Sequence, residues 1–213
     1  MVYNSIVKQI KGIFLVKSKV KIILGGIDMV KIGVITGSTR DSRVNIQVAE
    51  WVKSIADQRT DVEFELVDIK DYNLPKFNEP IPAIMSQDYQ APEAKVWSEK
   101  ISELDGFVFV TPEYNKAVTS GLKDAIDYLY VEWNNKAAGI VSYGSTLGVT
   151  AANNLRLILT VPKVATVGTQ PALSLFTDFE EMSTFKPAPF HEETVQTMLN
   201  EVVAWSTALK TIR

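Results

Sequence analysis

The sequence predicts an α/β fold: a doubly wound, five-stranded parallel sheet in a three-layer sandwich. Three observations predict it. Five short apolar runs of strand length recur along the chain. Longer stretches with apolar residues at helical spacing separate these runs. Polar, turn-forming residues stand directly after the runs. Right-handed crossovers between parallel strands place helices on both faces of such a sheet.

The first half of the chain supplies two strands and a helix. Residues 31–36 form an apolar run that ends in the turn-like segment 37–43, and a helix begins near Val44. Residues 62–69 alternate polar and apolar side chains, which indicates a strand near the edge of the sheet. A polar, proline-rich connection follows over residues 70–92. Connections of this length in a compact domain are typically functional or bind a partner.

The second half continues the same alternation. Apolar runs predict three strands, at residues 106–111, 137–142 and 163–168. Helical spacing predicts four helices, at residues 93–104, 122–129, 151–159 and 192–212. Residues 173–189 carry proline and phenylalanine and are expected to form a loop.

Length and charge indicate how the chain is divided into domains. The 213 residues suit one domain with a short appendage. Residues 1–28 carry a net charge of +4, so the remaining 185 residues carry −7 of the total of −3. We expect residues 1–28 to be a basic extension outside the fold and residues 29–213 to be the domain. The moderate charge, and apolar runs far shorter than the ~20 residues of a membrane span, favour neither nucleic acid nor membrane as a partner.

Two interpretations of the basic extension stay open. It is either an amphipathic segment that touches membranes or partners, or a segment that is not natively translated. Gly25 and Gly26 require purine-rich GGN codons just upstream of the Met29 codon. That composition and spacing resemble a bacterial ribosome-binding site, which favours the second interpretation.

Cysteine and histidine usage narrows the chemistry. The chain has no cysteine and a single histidine, His191. Disulfides, thiolate catalysis and cysteine-ligated metal are excluded, and a reducing, cytoplasmic location fits. A metal site or a histidine triad would need His191, so we expect no metal and a plain surface histidine.

The segment after the first strand is a candidate phosphate loop. Gly37 permits a tight turn, while Ser38, Arg40 and Asn45 surround the start of the next helix. Backbone N–H groups and a helix N-terminus converge on an anion at such a place. Neither a Walker ending nor a dinucleotide fingerprint is present, so the loop suits a single monophosphate. An ordinary polar turn remains the alternative.

Two further strand ends carry aromatic residues. One holds Pro112, Glu113, Tyr114 and Asn115, and the other holds Ser142, Tyr143 and Gly144. Ligands of doubly wound sheets bind at the carboxyl ends of the strands. Two aromatic loops facing a phosphate loop predict a site for a flat ring with a phosphorylated tail.

At these loops the sequence resembles the NADPH-dependent FMN reductase family, a flavodoxin-like group that includes quinone, azo and chromate reductases. The resemblance covers about residues 29–170. It rests on three motifs, Gly37-Ser38-Thr39-Arg40, Thr111-Pro112-Glu113-Tyr114-Asn115 continuing into Leu122–Leu129, and Val141-Ser142-Tyr143-Gly144. It implies a flavodoxin-like fold, FMN as cofactor and NADPH or NADH as electron donor. The small-molecule acceptor is then a flavin, quinone, azo compound or metal ion.

The resemblance also implies residue roles. Ser38, Arg40 and Asn45 would hold the FMN phosphate. Pro112, Glu113, Tyr114 and Asn115 would lie along the ribityl chain and ring. Ser142, Tyr143 and Gly144 would line the ring's other side. No side chain is expected to be catalytic, because the flavin N5 takes the hydride.

Alternatives stay open at the level of function. A flavodoxin-type electron carrier is one, although such carriers are usually strongly acidic. A non-catalytic regulatory protein on the same fold is another. We also expect a homodimer or tetramer, with Trp97, Trp133 and the connections at 70–92 and 173–189 supplying apolar surface, as family members pair near the flavin.

Overall fold

The computed structural model describes residues 29–213. The expectations for residues 1–28 lie outside the described residues. The strands are β1 (Lys31–Thr36), β2 (Glu63–Val67), β3 (Gly106–Pro112), β4 (Lys136–Gly144), β5 (Val164–Thr166), β6 (Ala172–Ser174), β7 (Phe179–Glu180) and β8 (Thr184–Phe185). The α-helices are α1 (Asn45–Ala56), α2 (Pro92–Glu103), α3 (Ser120–Asp127), α4 (Val149–Thr160) and α5 (His191–Lys210). Two 3-10 turns, Ile69–Tyr72 and Val131–Trp133, precede α2 and β4.

The strand order β2-β1-β3-β4-β5 confirms the doubly wound parallel sheet. Strand β1 pairs in parallel with β2 on one side and β3 on the other. Strand β2 lies at the edge, as its alternating pattern predicts. Helices cover both faces, which gives the three-layer sandwich.

Side-chain alternation along β3 divides the core into two layers. Phe107 and Phe109 face one layer, with Trp97 of α2 and Trp133. Val108 and Val110 face the other, which contains the apolar sides of α1 and α5. The residues of both strand faces are fully buried, as an almost wholly apolar strand requires.

Segment 173–189 differs from the predicted loop. Strand β6 pairs in parallel with the end of β4, and β7 and β8 form a small antiparallel hairpin. The hairpin packs its Phe179 against the ring of Tyr143, with centroids 5.6 Å apart. Phe179 therefore covers the end of the sheet and Phe185 packs on it, with ring centroids 5.1 Å apart, whereas Phe176 is 68% exposed.

Two expectations about single residues are wrong. Trp97 and Trp133 are both 0% exposed, because they pack edge-on in the core, and they contribute no surface to an oligomer. His191 is buried instead of lying on the surface. Its Nε2 lies 3.0 Å from Oδ1 of the buried Asp178, which ties the start of α5 to the hairpin.

Candidate functional site

The loops after β1, β3 and β4 meet at the carboxyl end of the sheet. Strand β1 has β2 on one side and β3 on the other, so the chain reverses its winding direction between β1 and β3. This is the switch point at which doubly wound sheets bind ligands. A cavity of about 210 Å³ opens here, lined by Arg40, Ser42, Arg43, Val44, Pro112, Glu113, Tyr114, Tyr143, Gly144, Leu175 and Met182.

The first loop is held against the sheet by Asn45. The Asn45 Oδ1 accepts from the Gly37 N–H at 2.8 Å, and its Nδ2 donates to the Val110 carbonyl at 2.9 Å. Thr119 adds a second tie, because its hydroxyl donates to the Gly37 carbonyl at 2.7 Å. A Cβ on Gly37 would lie 2.5 Å from the Val110 oxygen. Only glycine permits this close approach.

Several donors of the loop are left over. The Ser38 Oγ is buried without a hydrogen-bond partner. Among the described residues, the backbone N–H groups of residues 39–42 also find no acceptor in the chain. Buried polar groups are normally satisfied, and clustered N–H groups before a helix form an anion-binding concavity. The loop therefore fits a phosphate that supplies the missing acceptors.

Two arginines flank these donors. Arg43 forms an ion pair with Asp68, whose other carboxylate oxygen accepts from Thr36 at 2.8 Å. Arg40 is exposed, and its Nη1 donates to the Tyr114 hydroxyl at 3.2 Å. Both Nη atoms of Arg43 are thus bound within the protein, to Asp68 and to the Arg40 carbonyl, but its buried Nε has no partner. The exposed Arg40 side chain is also within reach of a ligand anion at this cavity.

Aromatic residues stand on the two neighbouring loops. Tyr114 begins a tight turn closed by hydrogen bonds in both directions with Ala117. The central residues Asn115 and Lys116 both have positive φ, 51° and 69°, as turns of this kind require. The turn presents the half-exposed Tyr114 ring to solvent beside Arg40.

Tyr143 lines the same cavity from the end of β4 but is only 5% exposed. Burial raises the pKa of its phenol well above the ordinary value. The hydroxyl therefore keeps its proton through the physiological range and can act as a hydrogen-bond donor.

Three predicted site residues direct their side chains into the protein. Glu113 accepts from the N–H groups of Thr150 and Ala151 at 3.0 and 3.1 Å, so it caps α4. Burial opposes its ionisation, but these bonds and the Lys116 ammonium hold the pKa of Glu113 below its usual range. Ser142 Oγ donates to the Leu147 carbonyl at 2.8 Å. The third is Asn45, whose amide binds the Gly37 N–H of the loop and the Val110 carbonyl of β3.

Sequence reasoning missed the contribution of the hairpin. Leu175 and Met182 come from segment 173–189 and close one wall of the cavity. Asp178 fixes this segment by accepting from the N–H groups of Ser174 and Ala188 at 2.8 and 3.1 Å. The phenylalanines of the segment were the available signal, but no local pattern shows which strand end they cover.

Metal binding and membrane insertion are the other functions to consider. Within residues 29–213, no cluster of three or more His, Cys, Asp or Glu side chains could hold a metal ion. No helix in that range combines the length and the apolar character needed to cross a membrane.

A loop that fits a phosphate at the switch point, with aromatic residues on the adjoining strand ends, is the arrangement typical of flavodoxin-like mononucleotide-binding proteins. The sequence profile of the NADPH-dependent FMN reductase family matches residues 30–178, and the chain belongs to this family. It is therefore an FMN-containing NAD(P)H oxidoreductase.

The chain is also similar to individual proteins of known name. The chain is 42% identical over 146 residues to an NAD(P)H-dependent FMN reductase of Schizosaccharomyces pombe, covering 68% of this chain and 73% of the relative. It is 33% identical over 129 residues to an NAD(P)H:quinone oxidoreductase of Solanum tuberosum, covering 56% and 61%. The structure of a flavoenzyme NAD(P)H:(acceptor) oxidoreductase from Paracoccus denitrificans superposes with a TM-score of 0.64 at 20% identity, covering 84% and 97%.

Proposed function

We propose that this chain oxidises NADPH or NADH through FMN bound at the switch point and reduces small quinone-type acceptors. The observation that carries the proposal is the partnerless, buried Ser38 hydroxyl beside the free N–H groups of residues 39–42. The name of the Solanum tuberosum relative supports the acceptor class.

The predicted site residues divide into two groups in this proposal. Ser38 and Arg40 hold the FMN phosphate, Pro112, Tyr114 and Asn115 lie along the ribityl chain and one side of the ring, and Tyr143 and Gly144 line its other side. Gly37, Asn45, Glu113 and Ser142 hold the loops in place, because their polar groups are already used within the protein or, for Gly37, because a side chain would not fit.

The bound flavin supplies hydride acceptance and electron delivery, so the chain needs no catalytic acid or base. The protein's part is to position the ring, to keep the Tyr143 hydroxyl protonated beside it, and to leave room for donor and acceptor in turn. The exposed Tyr114 turn leaves that side open.

A steady-state assay tests this function. Protein loaded with FMN should oxidise NADPH or NADH faster when 1,4-benzoquinone is added, with ping-pong kinetics in the two substrates. Two-electron turnover without an accumulating flavin radical supports the enzyme. A stable one-electron flavin and no quinone-dependent turnover would favour the electron carrier, and protein that binds no flavin would favour the regulatory alternative.

We also propose a homodimer or tetramer. Ile81, Ile84 and Met85 of connection 70–92 are 51, 57 and 77% exposed, and Leu157 and Val161 of α4 are 70 and 64% exposed. Two of these residues, Ile84 and Val161, line an apolar cavity of about 410 Å³. Contiguous exposed apolar surface of this kind typically marks an interface. A strictly monomeric mass by light scattering at micromolar concentration would refute the proposal.

Residues 29–213 are proposed as the FMN-binding domain, acting in the cytoplasm. Strand β1 begins two residues after Met29, and both of its edges are already paired, with β2 and β3. The absence of cysteine supports a reducing compartment.

A further inference from the structure

A second cavity lies at the opposite end of the sheet from the loop after β1. Its volume is about 890 Å³, and it opens beside the amino ends of β3 and β4. Lys136 is the first residue of β4 and Gly144 the last, so the cavity and the switch point are separated by ~26 Å of strand. A ligand in this cavity would not touch the flavin.

Lys136 lines this cavity although it is only 4% exposed. Its Nζ donates to the Ile101 carbonyl at 2.6 Å and lies 5.5 Å from the centroid of the Phe107 ring. Within the described chain, no carboxylate forms an ion pair with Lys136. One N–H of the amine is therefore used in a hydrogen bond to Ile101, and no carboxylate is paired with the nitrogen.

The acidic groups that face Lys136 are committed to other partners. Glu132 accepts from the Tyr89 hydroxyl at 2.7 Å and the Ser98 hydroxyl at 2.6 Å. Asp105 accepts from Arg213 at 2.6 Å and from the Lys31 N–H at 3.0 Å. Arg213 adds positive charge next to the amine. Burial, with the Arg213 cation, lowers the pKa of Lys136 to about 7.

We propose that Lys136 is a reactive amine that binds small aldehydes or ketones carrying an anionic group, as a reversible imine, in this cavity. The nitrogen lone pair attacks the carbonyl carbon, and the carbinolamine loses water to form the C=N bond, so no oxidant or reductant is needed. Arg213 lines the same cavity and offers N–H donors to the anionic substituent. The volume suits a molecule of one ring with a phosphate or carboxylate.

An unprotonated amine is the species that attacks a carbonyl. At pH 7, a lysine with this pKa holds roughly a thousand times more unprotonated amine than an ordinary exposed lysine. Access through the cavity reduces that advantage, because the residue is buried. We therefore expect labelling of Lys136 to exceed that of surface lysines by about tenfold or more.

The test uses the full-length, FMN-loaded protein with pyridoxal 5′-phosphate as the probe and cyanoborohydride to reduce the imine. Peptide mass spectrometry then locates the modified lysines over time, at pH values from 6 to 9. Lys95, exposed on the rim of the same cavity, and Lys163, exposed away from it, are internal controls. The proposal predicts preferential modification of Lys136, with a rate that rises through a midpoint near pH 7.

Two variants test the roles of the Lys136 amine and of Arg213 separately. Lys136→Met should lose the fast modification while keeping its flavin. Arg213→Gln should slow labelling by pyridoxal 5′-phosphate more than labelling by pyridoxal, which lacks the phosphate. Modification of Lys136 no faster than that of Lys95 and Lys163 would overturn the proposal, and the wild-type map decides this even if a variant fails to fold. Equal rates for the two probes would overturn the anionic part of the ligand.

Discussion

The Asn45→Ala variant tests whether the Asn45 amide holds the loop after β1 in place or contacts the FMN phosphate. The change removes the acceptor of the Gly37 N–H and the donor to the Val110 carbonyl, at 2.8 and 2.9 Å. Both backbone groups are buried, and each unsatisfied group costs ~1–3 kcal/mol. The variant should therefore lose roughly 2–6 kcal/mol of unfolding free energy before any flavin is added.

The assay is urea unfolding of the flavin-free protein, followed by FMN titration. Ser38→Ala is the matched control from the same loop. Its hydroxyl has no partner in the chain, so its removal should leave flavin-free stability unchanged or slightly higher. It should instead weaken FMN binding by roughly 10- to 100-fold, the value of a hydrogen bond to a charged group. If Asn45→Ala leaves the flavin-free protein as stable as wild type and only weakens FMN binding, the amide contacts the phosphate and the loop-holding role is wrong.

Four further outcomes are expected. Arg40→Ala should raise the FMN dissociation constant, measured by fluorescence titration, by about tenfold or more and make it less sensitive to salt. Arg40→Lys keeps the positive charge and should recover part of the affinity. Gly37→Ala should lower both the melting temperature and the flavin content, because its Cβ would lie 2.5 Å from the Val110 oxygen. The free energy of unfolding of the wild type should rise relative to that of Lys136→Met as the pH rises from about 7 towards 10, by up to ~1.4 kcal/mol per pH unit. In this range the unfolded chain binds a proton at Lys136 and the folded chain does not. A difference in urea unfolding that does not change with pH would contradict this prediction. Truncation to Met29 should leave melting temperature, flavin content and turnover unchanged. Mass spectrometry of the protein isolated from its native cell should find Met29 or Val30 as the first residue.

The sequence predicts the sheet well because its signals are local. Apolar runs of strand length and helical spacing between them are set by residues that are neighbours in the chain. The boundaries of β1, β3 and the last helix agree with the prediction to within a residue or two. Strand β2 could be placed at the edge because only one of its faces is fully apolar.

The site is only partly predictable, because identity does not reveal where a side chain points. Asn45 and Ser38 share a loop and a hydrogen-bonding capacity, yet one amide is consumed by Gly37 and Val110 while the Ser38 hydroxyl is left free. Glu113 similarly turns toward the N-terminus of α4, 37 residues further along the chain. Such choices depend on backbone groups that are distant in sequence.

Long-range packing also explains the wrong predictions. Trp97 and Trp133 are expected to supply apolar surface to an oligomer, but they meet edge-on, with centroids 6.0 Å apart, in the core. His191 stands in a polar neighbourhood and is buried by an Asp178 contact that spans 13 residues of sequence and a hairpin. Nothing within a local window reports either contact.

The central claim, that FMN is held through its phosphate at the β1 loop, is tested most directly by comparing FMN with riboflavin. Riboflavin has the same ring and ribityl chain but lacks the phosphate. The account predicts that purified protein supplied with FMN shows stoichiometric flavin absorbance and a raised melting temperature, and that riboflavin binds far more weakly. Protein that shows neither bound absorbance nor a thermal shift with FMN, or that binds riboflavin equally well, would contradict it.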